Sequence, residues 1–244
     1  VLAALCLVVL NSCQTPVEKK EGDFKLLPSP QEFSITGISS LRPLNVSNYF
    51  SDSNELPVLA STLTNLKKVD SENDAQIIFG IDSNLDLKAE GYILDISDKQ
   101  ILISGKDEAG LFYAFQTLGQ LMEDASEQEA NLPISSIKDY PSLAYRSIQL
   151  DIKHHIEKTE YYYSLMDKLA KYKVNAIIAE VEDKIKFVRQ PLIGAADALS
   201  IEEWQKLCNY AKARNIEISP LVQGLGHASF ILKHDAYKEL RDDP

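Results

Sequence analysis

Three stretches decide the fold: Ser147-Ile148-Gln149-Leu150-Asp151-Ile152-Lys153-His154-His155, Val174-Asn175-Ala176-Ile177-Ile178-Ala179-Glu180-Val181-Glu182-Asp183, and Ile216-Glu217-Ile218-Ser219-Pro220-Leu221-Val222-Gln223-Gly224-Leu225-Gly226-His227. Each carries an apolar run into a polar cluster, which predicts strands over 147–152, 174–181 and 216–222. Helical spacing fills the gaps, over 159–172 and 200–214. The second helix opens on Ser200-Ile201-Glu202-Glu203, a capping box in which Ser and the Glu three residues later satisfy exposed backbone donors. The middle strand is apolar on both faces, as a parallel strand covered on each side must be. Strands alternating with helices imply right-handed crossovers and a parallel sheet or barrel. The C-terminal strand ends then share one edge, where ligands bind in such folds.

Upstream the pattern is mixed α+β. Residues 24–27 and 31–35 flank a turn at Pro28-Ser29-Pro30, a helix is expected over 56–68, and a strand over 75–81. Alternating apolar residues over 91–96 and 100–105, joined by Ser97-Asp98-Lys99, read as a β-hairpin. A helix over 107–124 follows, with Leu111, Phe115, Leu118 and Met122 on one stripe that should lie against a sheet. Polar residues 125–129 and Asn131-Leu132-Pro133 read as a loop leading to a second domain.

The 244 residues are 45% hydrophobic, ample for a buried core, and the net charge is -11. No Lys/Arg cluster offers a phosphate footprint, which argues against nucleic acid. Val1 to Leu10 is apolar but shorter than the roughly 20 residues a membrane span needs, and reads as the hydrophobic part of a signal peptide. Leu10-Asn11-Ser12-Cys13 resembles a bacterial lipoprotein cleavage box, with Cys13 the lipid attachment residue; Asn11 departs from the usual small residue. Polar residues 14–23 suit a tether. An ordinary cleaved signal followed by a disordered start is the alternative. Cys208 then remains alone, and reads as a small apolar helix residue.

At the strand ends, Gly224 and Gly226 are expected to allow a sharp turn that places His227 over the sheet edge. A phosphate loop lacks its Lys-Ser or Lys-Thr sequel, and an ordinary satisfied histidine remains open. Glu180, Glu182 and Asp183 sit at the ligand edge but also suit a solvated loop with Lys184 and Lys186. Alternation would separate Glu180 and Glu182 from Asp183. Neither HExxH nor paired-Cys spacing occurs, and adjacent His154 and His155 diverge on an extended segment, so no metal site is expected.

At these residues the sequence resembles the family 20 glycoside hydrolases, the β-N-acetylhexosaminidases, in a form common among Bacteroidetes lipoproteins. The resemblance rests on Leu27-Pro28-Ser29-Pro30-Gln31, Glu90-Gly91-Tyr92, Gly110-Leu111-Phe112-Tyr113-Ala114 and Gln116-Thr117-Leu118 in the first domain. In the second it rests on Asp139-Tyr140-Pro141, Tyr145-Arg146, Leu150-Asp151, Lys173-Val174-Asn175, Glu182-Asp183 and Gly226-His227. It implies an α/β chain in three parts: signal peptide, lipobox and tether over 1–23, a small α+β domain over 24–140, and over 141–244 the first three βα units of an incomplete (β/α)8 TIM barrel. It also implies exo-hydrolysis of terminal β-linked N-acetylglucosamine or N-acetylgalactosamine from N-acetylhexosamine-containing glycans, at a bacterial cell envelope, with no cofactor. In that family the substrate's acetamido oxygen attacks the anomeric carbon, an exception to the usual pair of carboxylates. An adjacent Asp-Glu pair after the fourth strand orients the acetamido group and protonates the leaving oxygen.

Carried over by resemblance alone, Arg146 matches an Arg that holds sugar hydroxyls, and Asp183 and His227 match a catalytic relay that tunes the Glu. Departures are Ser147 for a common Gly, His154 for a common Arg, Glu180 for a common His, and Lys184 for a frequent Asp. A barrel takes about 250 residues, so the chain is expected to lack the Asp-Glu pair, to be inert, and to be poorly stable through unpaired strand edges and an exposed apolar sheet face. A non-catalytic carbohydrate-binding lipoprotein on the same scaffold is the alternative. An unrelated barrel enzyme using Glu182 or Asp183 as its acid is a third reading.

Overall fold

The computed structural model describes residues 19–52, 55–57, 63, 65–224 and 226–242. Cys13, the signal segment and most of the helix expected over 56–68 lie outside the described residues. The first unit is a seven-stranded sheet in the order β1-β7-β5-β6-β4-β2-β3. Its strands are β1 (Glu32–Ile38), β2 (Asn48–Phe50), β3 (Lys67–Lys68), β4 (Ile77–Ile81), β5 (Tyr92–Ile96), β6 (Ile101–Gly105) and β7 (Pro133–Asp139). The expected hairpin is β5–β6, antiparallel from Tyr92↔Gly105 to Ile96↔Ile101. Alternation buries Tyr92, Leu94 and Ile96 on one strand and Ile101 and Ile103 on the other, as a half-covered sheet requires.

Helix α1 (Glu108–Glu127) starts where the Asp107 side chain accepts from the Gly110 amide at 2.8 Å; its other oxygen accepts from the Glu90 amide at 2.8 Å. One carboxylate thus caps the helix and ties it to the entry of β5. A Cβ on Gly110 would meet the Gly91 carbonyl oxygen at 2.1 Å, so glycine is what lets the helix start sit this close. Leu111, Phe115, Leu118 and Met122 are buried as expected. The helix is buried on its other side too, through Gln116, Thr117 and Gln120.

Residues 24–27, before the turn, form no strand, because the amides of Lys25 and Leu27 donate to the side chains of Asp124 and Gln120 on α1 instead of to a neighbouring strand. Two expectations fail here. Lys67 and Lys68, at the end of the expected helix, form strand β3 beside β2. Residue 133, expected in a loop, begins strand β7, which lies between β1 and β5 and buries Pro133, Ser135, Ile137 and Asp139 alternately.

The second unit follows its expected order: β8 (Ser147–Asp151), α2 (Thr159–Lys171), β9 (Ala176–Glu180), α3 (Ile201–Lys212) and β10 (Glu217–Leu221). The strands are parallel and in register, Ser147↔Ala176↔Glu217 at one end and Asp151↔Glu180↔Leu221 at the other. Tyr162, Met166, Leu169 and Ala170 of α2 and Leu207 and Ala211 of α3 cover one face, where they join Ile177, Ala179 and Val181 in the core. The capping box at Ser200 is complete, with Glu203 answering the Ser200 amide at 2.7 Å. By alternation the opposite face carries Ser147, Gln149, Asp151, Ala176, Ile178, Glu180, Glu217, Ser219 and Leu221. The expectation of an apolar open face is therefore corrected: most of these side chains are polar. The chain ends in a one-turn helix α4 (Ser229–Leu232) and a 3-10 segment, Asp235–Leu240.

Candidate functional site

Because β8, β9 and β10 are parallel and in register, their C-terminal ends bring residues 151–153, 180–183, 222–224 and 226–227 to one edge. Glu180 is its centre. The Glu180 side chain is buried and accepts from Lys153 Nζ at 2.9 Å, Gln149 Nε2 at 2.9 Å and Gln223 Nε2 at 2.7 Å, two donors from β8 and its C-terminal end and one from beyond β10. Lys153 also reaches Asp151 at 2.7 Å. The Lys153 hydrogen bond holds Glu180 below the usual carboxylate range, against the opposing pull of burial and with help from Gln223. In turn Asp151 and then Glu180 push Lys153 upward. Glu180 is therefore a fixed anion, able to accept a hydrogen bond from a hydroxyl and unsuited to donating a proton.

Asp183 follows a tight turn in which Glu182 takes a φ of 38° and the Lys184 amide donates to the Val181 carbonyl at 2.7 Å. This turn, not strand alternation, sets where Asp183 points. Its Oδ2 accepts from Lys233 at 3.3 Å, while Oδ1 is buried and accepts no hydrogen bond. Lys184 Nζ stands 3.5 Å from that oxygen and is bound to Asp197 at 2.9 Å. Burial pulls Lys184 down, but Asp197 and Asp183 outweigh it and its pKa is raised. A buried carboxylate oxygen with no donor is an acceptor waiting for a partner.

His227 lies on the same edge and is exposed, and among the described residues no hydrogen bond joins it to Asp183. The turn there differs from expectation. No described glycine has a positive φ; His227 itself takes 54°. His154 is exposed, and His155 bonds only to Glu157 at 2.7 Å. Among the described residues no group of three or more His, Cys, Asp or Glu side chains converges as a metal site would need.

Arg146 is not brought to this edge. It precedes β8, at the opposite end of the sheet, and its guanidinium is engaged by Glu90 at 2.6 Å, the carbonyls of Lys173 at 2.6 Å and Leu143 at 2.8 Å, and Tyr113 Oη at 3.2 Å. Beside it, Lys173 Nζ donates to Asp139 at 2.7 Å and to Tyr92 Oη at 2.8 Å, and Tyr92 Oη lies 2.6 Å from Thr117 Oγ1. These contacts join the two units, as do Gln120 Nε2 donating to the Lys171 carbonyl at 2.9 Å and the Lys171–Glu123 ion pair. Burial pushes Tyr113 up to about 12 and Lys173 below its ordinary value, the latter despite Asp139.

Gln149, Lys153 and Gln223 were not singled out from sequence, although two of them stand in the strand-end clusters. Only the register shows that all three point their donors at one carboxylate.

Residues 23–140 match the family model described as glycosyl hydrolase family 20, domain 2. A Porphyromonas gingivalis protein named beta-hexosaminidase is 26% identical over 274 residues, covering 96% of this chain and 35% of the relative. The N,N'-diacetylchitobiase of Vibrio harveyi is 26% identical, covering 58% of this chain and 20% of its own length. The chain thus spans about a third or less of these relatives. Among solved structures, a beta-N-acetylhexosaminidase from Bacteroides fragilis superposes with a TM-score of 0.73 at 22% identity, over 88% of this chain and 48% of that one. A GH20 beta-N-acetylhexosaminidase from Streptomyces coelicolor gives a TM-score of 0.73 at 20% identity, over 88% and 49%. At such identities the likeness concerns the fold.

Proposed function

The chain belongs to glycoside hydrolase family 20, and from that premise we propose that it forms part of a β-N-acetylhexosaminidase acting on terminal β-linked N-acetylglucosamine or N-acetylgalactosamine. The observation that carries this reading is the shared edge of β8, β9 and β10. That edge collects Lys153 after β8, Glu180 and Asp183 at the end of β9 and His227 after β10, the side of such sheets where ligands bind. In this proposal the parallel sheet is the start of a (β/α)8 barrel. The unbonded oxygen of Asp183 receives the ring N–H of His227 once the edge is enclosed, and the two position and tune a carboxylic acid that protonates the leaving oxygen. Substrate-assisted attack by the acetamido oxygen then needs no nucleophile from the protein.

The sequence contains an adjacent Asp-Glu pair only at Asp107-Glu108, and Asp107 is committed to capping α1. Residues 1–244 by themselves should therefore release no aryl alcohol from aryl N-acetyl-β-glucosaminide. The protein as its gene encodes it should do so, with Asp183→Asn lowering kcat far more than it raises KM. Robust turnover by residues 1–244, or an unchanged kcat in Asp183→Asn, would overturn the proposal. Lipid attachment at Cys13 and a place at a bacterial cell envelope complete the reading; Cys13→Ser should abolish labelling by a fatty-acid probe.

A second reading, a carbohydrate-binding protein without catalysis, is favoured by Glu180 being fixed as an anion by three donors. Sugar binding by the gene product without turnover would select it.

A further inference from the structure

At the end of the sheet opposite Asp183 and His227, a cavity of about 210 Å³ opens between the two units. Four charged groups line it: Arg146 and Lys173 against Glu90 and Asp139, a balanced set. Both carboxylates are already answered by the protein. Glu90 accepts from Arg146, and Asp139 accepts from Lys173, Tyr92 and the amides of Gln31 and Tyr140. Donors are in surplus. The Lys173 ammonium has three N–H groups and gives two of them, to Asp139 and Tyr92. The Tyr140 hydroxyl makes no hydrogen bond among the described residues. Aromatic walls with a few convergent polar groups at a junction of two units are the usual make-up of a small-molecule site.

We infer that this cavity is a second binding site, for an uncharged, oxygen-rich molecule the size of one sugar ring, whose oxygens accept from Lys173 and Tyr140. Size limits the ligand: about 210 Å³ lies below the roughly 300–1,000 Å³ of sites for drug-sized molecules, so the space suits a molecule of about one ring. Charge limits it further. An added ion would sit unpaired against an already balanced, partly desolvated set, which is costly, whereas a neutral polyol needs only acceptor oxygens. The site is independent of the proposed hydrolase chemistry, because none of these groups lies on the edge that holds Asp183.

The test is a titration of the folded chain with N-acetylglucosamine, followed by amide chemical shifts. Saturable shifts at the amides of Tyr140, Ser142, Leu143 and Lys173 are expected. Tyr140→Phe should weaken them about two- to tenfold, the worth of one hydrogen bond. Ser142→Trp, at the cavity rim, should abolish them while the rest of the spectrum stays folded. Glucosamine and glucuronate, its charged analogues, should bind about tenfold more weakly. Shifts at 151–153 and 180–183 report the strand-end edge separately, so binding there neither supports nor masks the result. The inference is overturned if the cavity amides do not saturate with the sugar, if Tyr140→Phe binds as the parent does, or if a charged analogue binds as well as the neutral one.

Discussion

Removing either half of the buried pair between Lys173 and Asp139 should destabilise the protein unequally, with Asp139→Asn the worse. The pair is 2.7 Å long, with side chains 8% and 10% exposed. Its gross attraction is about 6 kcal/mol at an effective dielectric of ~20, and desolvating two ions offsets most of that, so the pair itself adds little. What matters is what each partner keeps when the other goes. In Lys173→Met, Asp139 still accepts from Tyr92 Oη at 3.0 Å and from the Tyr140 and Gln31 amides at 2.9 and 3.2 Å. That anion stays solvated by the protein, and the loss should be about 2 kcal/mol. In Asp139→Asn the ammonium keeps only the Tyr92 hydroxyl, and the loss should approach the ~3–5 kcal/mol of an orphaned buried charge. Urea unfolding followed by circular dichroism, with unchanged m-values, measures both; at this size about 2–4 °C of Tm accompanies each kcal/mol. There is a pH signature as well. Burial lowers the folded-state pKa of Lys173 below 10.5, so between that lowered value and 10.5 the unfolded chain binds the extra proton and stability rises with pH. The margin of the parent over Lys173→Met should therefore widen through that window. Above pH 10 the raised pKa of Tyr92 acts in the opposite sense in both proteins. Equal losses from the two substitutions, or a larger one from Lys173→Met, would refute the reasoning.

Gly110→Ala should abolish soluble expression or cost more than ~3 kcal/mol, since its Cβ would lie 2.1 Å from a backbone oxygen that cannot move without β5; urea midpoints or expression yield decide. Ser200→Ala removes one half of a complete capping box and should cost about 1 kcal/mol, read as a lower urea midpoint. Glu180→Gln should change the acid limb of stability. The carboxyl's lowered folded-state pKa stabilises the parent above its ordinary 4.5 and is lost as pH falls through the folded value, so only the parent should show that step in an acid titration of ellipticity.

Most of the second unit is legible from sequence because its helices and strands differ in period, and because Ser200 to Glu203 mark a helix start chemically. The β5–β6 hairpin is legible for the same reason, its alternation being local. Strand β7 is not. Ser135, Ser136 and Lys138 give it no apolar period, and it is a strand because β1 and β5 lie on either side to complete its ladder. The edge around Glu180 is half legible. The polar clusters announce an edge, but that Gln149, Lys153 and Gln223 serve one carboxylate depends on a register no single strand encodes. Arg146 shows the reverse limit. The family resemblance alone suggests a sugar contact, whereas its position before β8 gives it Glu90, Tyr113 and two carbonyls as partners.

Helix α1 belongs to two cores at once, with the hairpin on one side and α2 on the other, and a single apolar cluster runs through Leu111, Phe115, Met166 and Ile177. The sequence boundary near residue 140 is thus not a boundary of cooperativity. The two units should melt in one transition, the amides of α1 should exchange with solvent only through global opening, and cutting the chain after residue 140 should loosen the very helix that lies wholly before the cut.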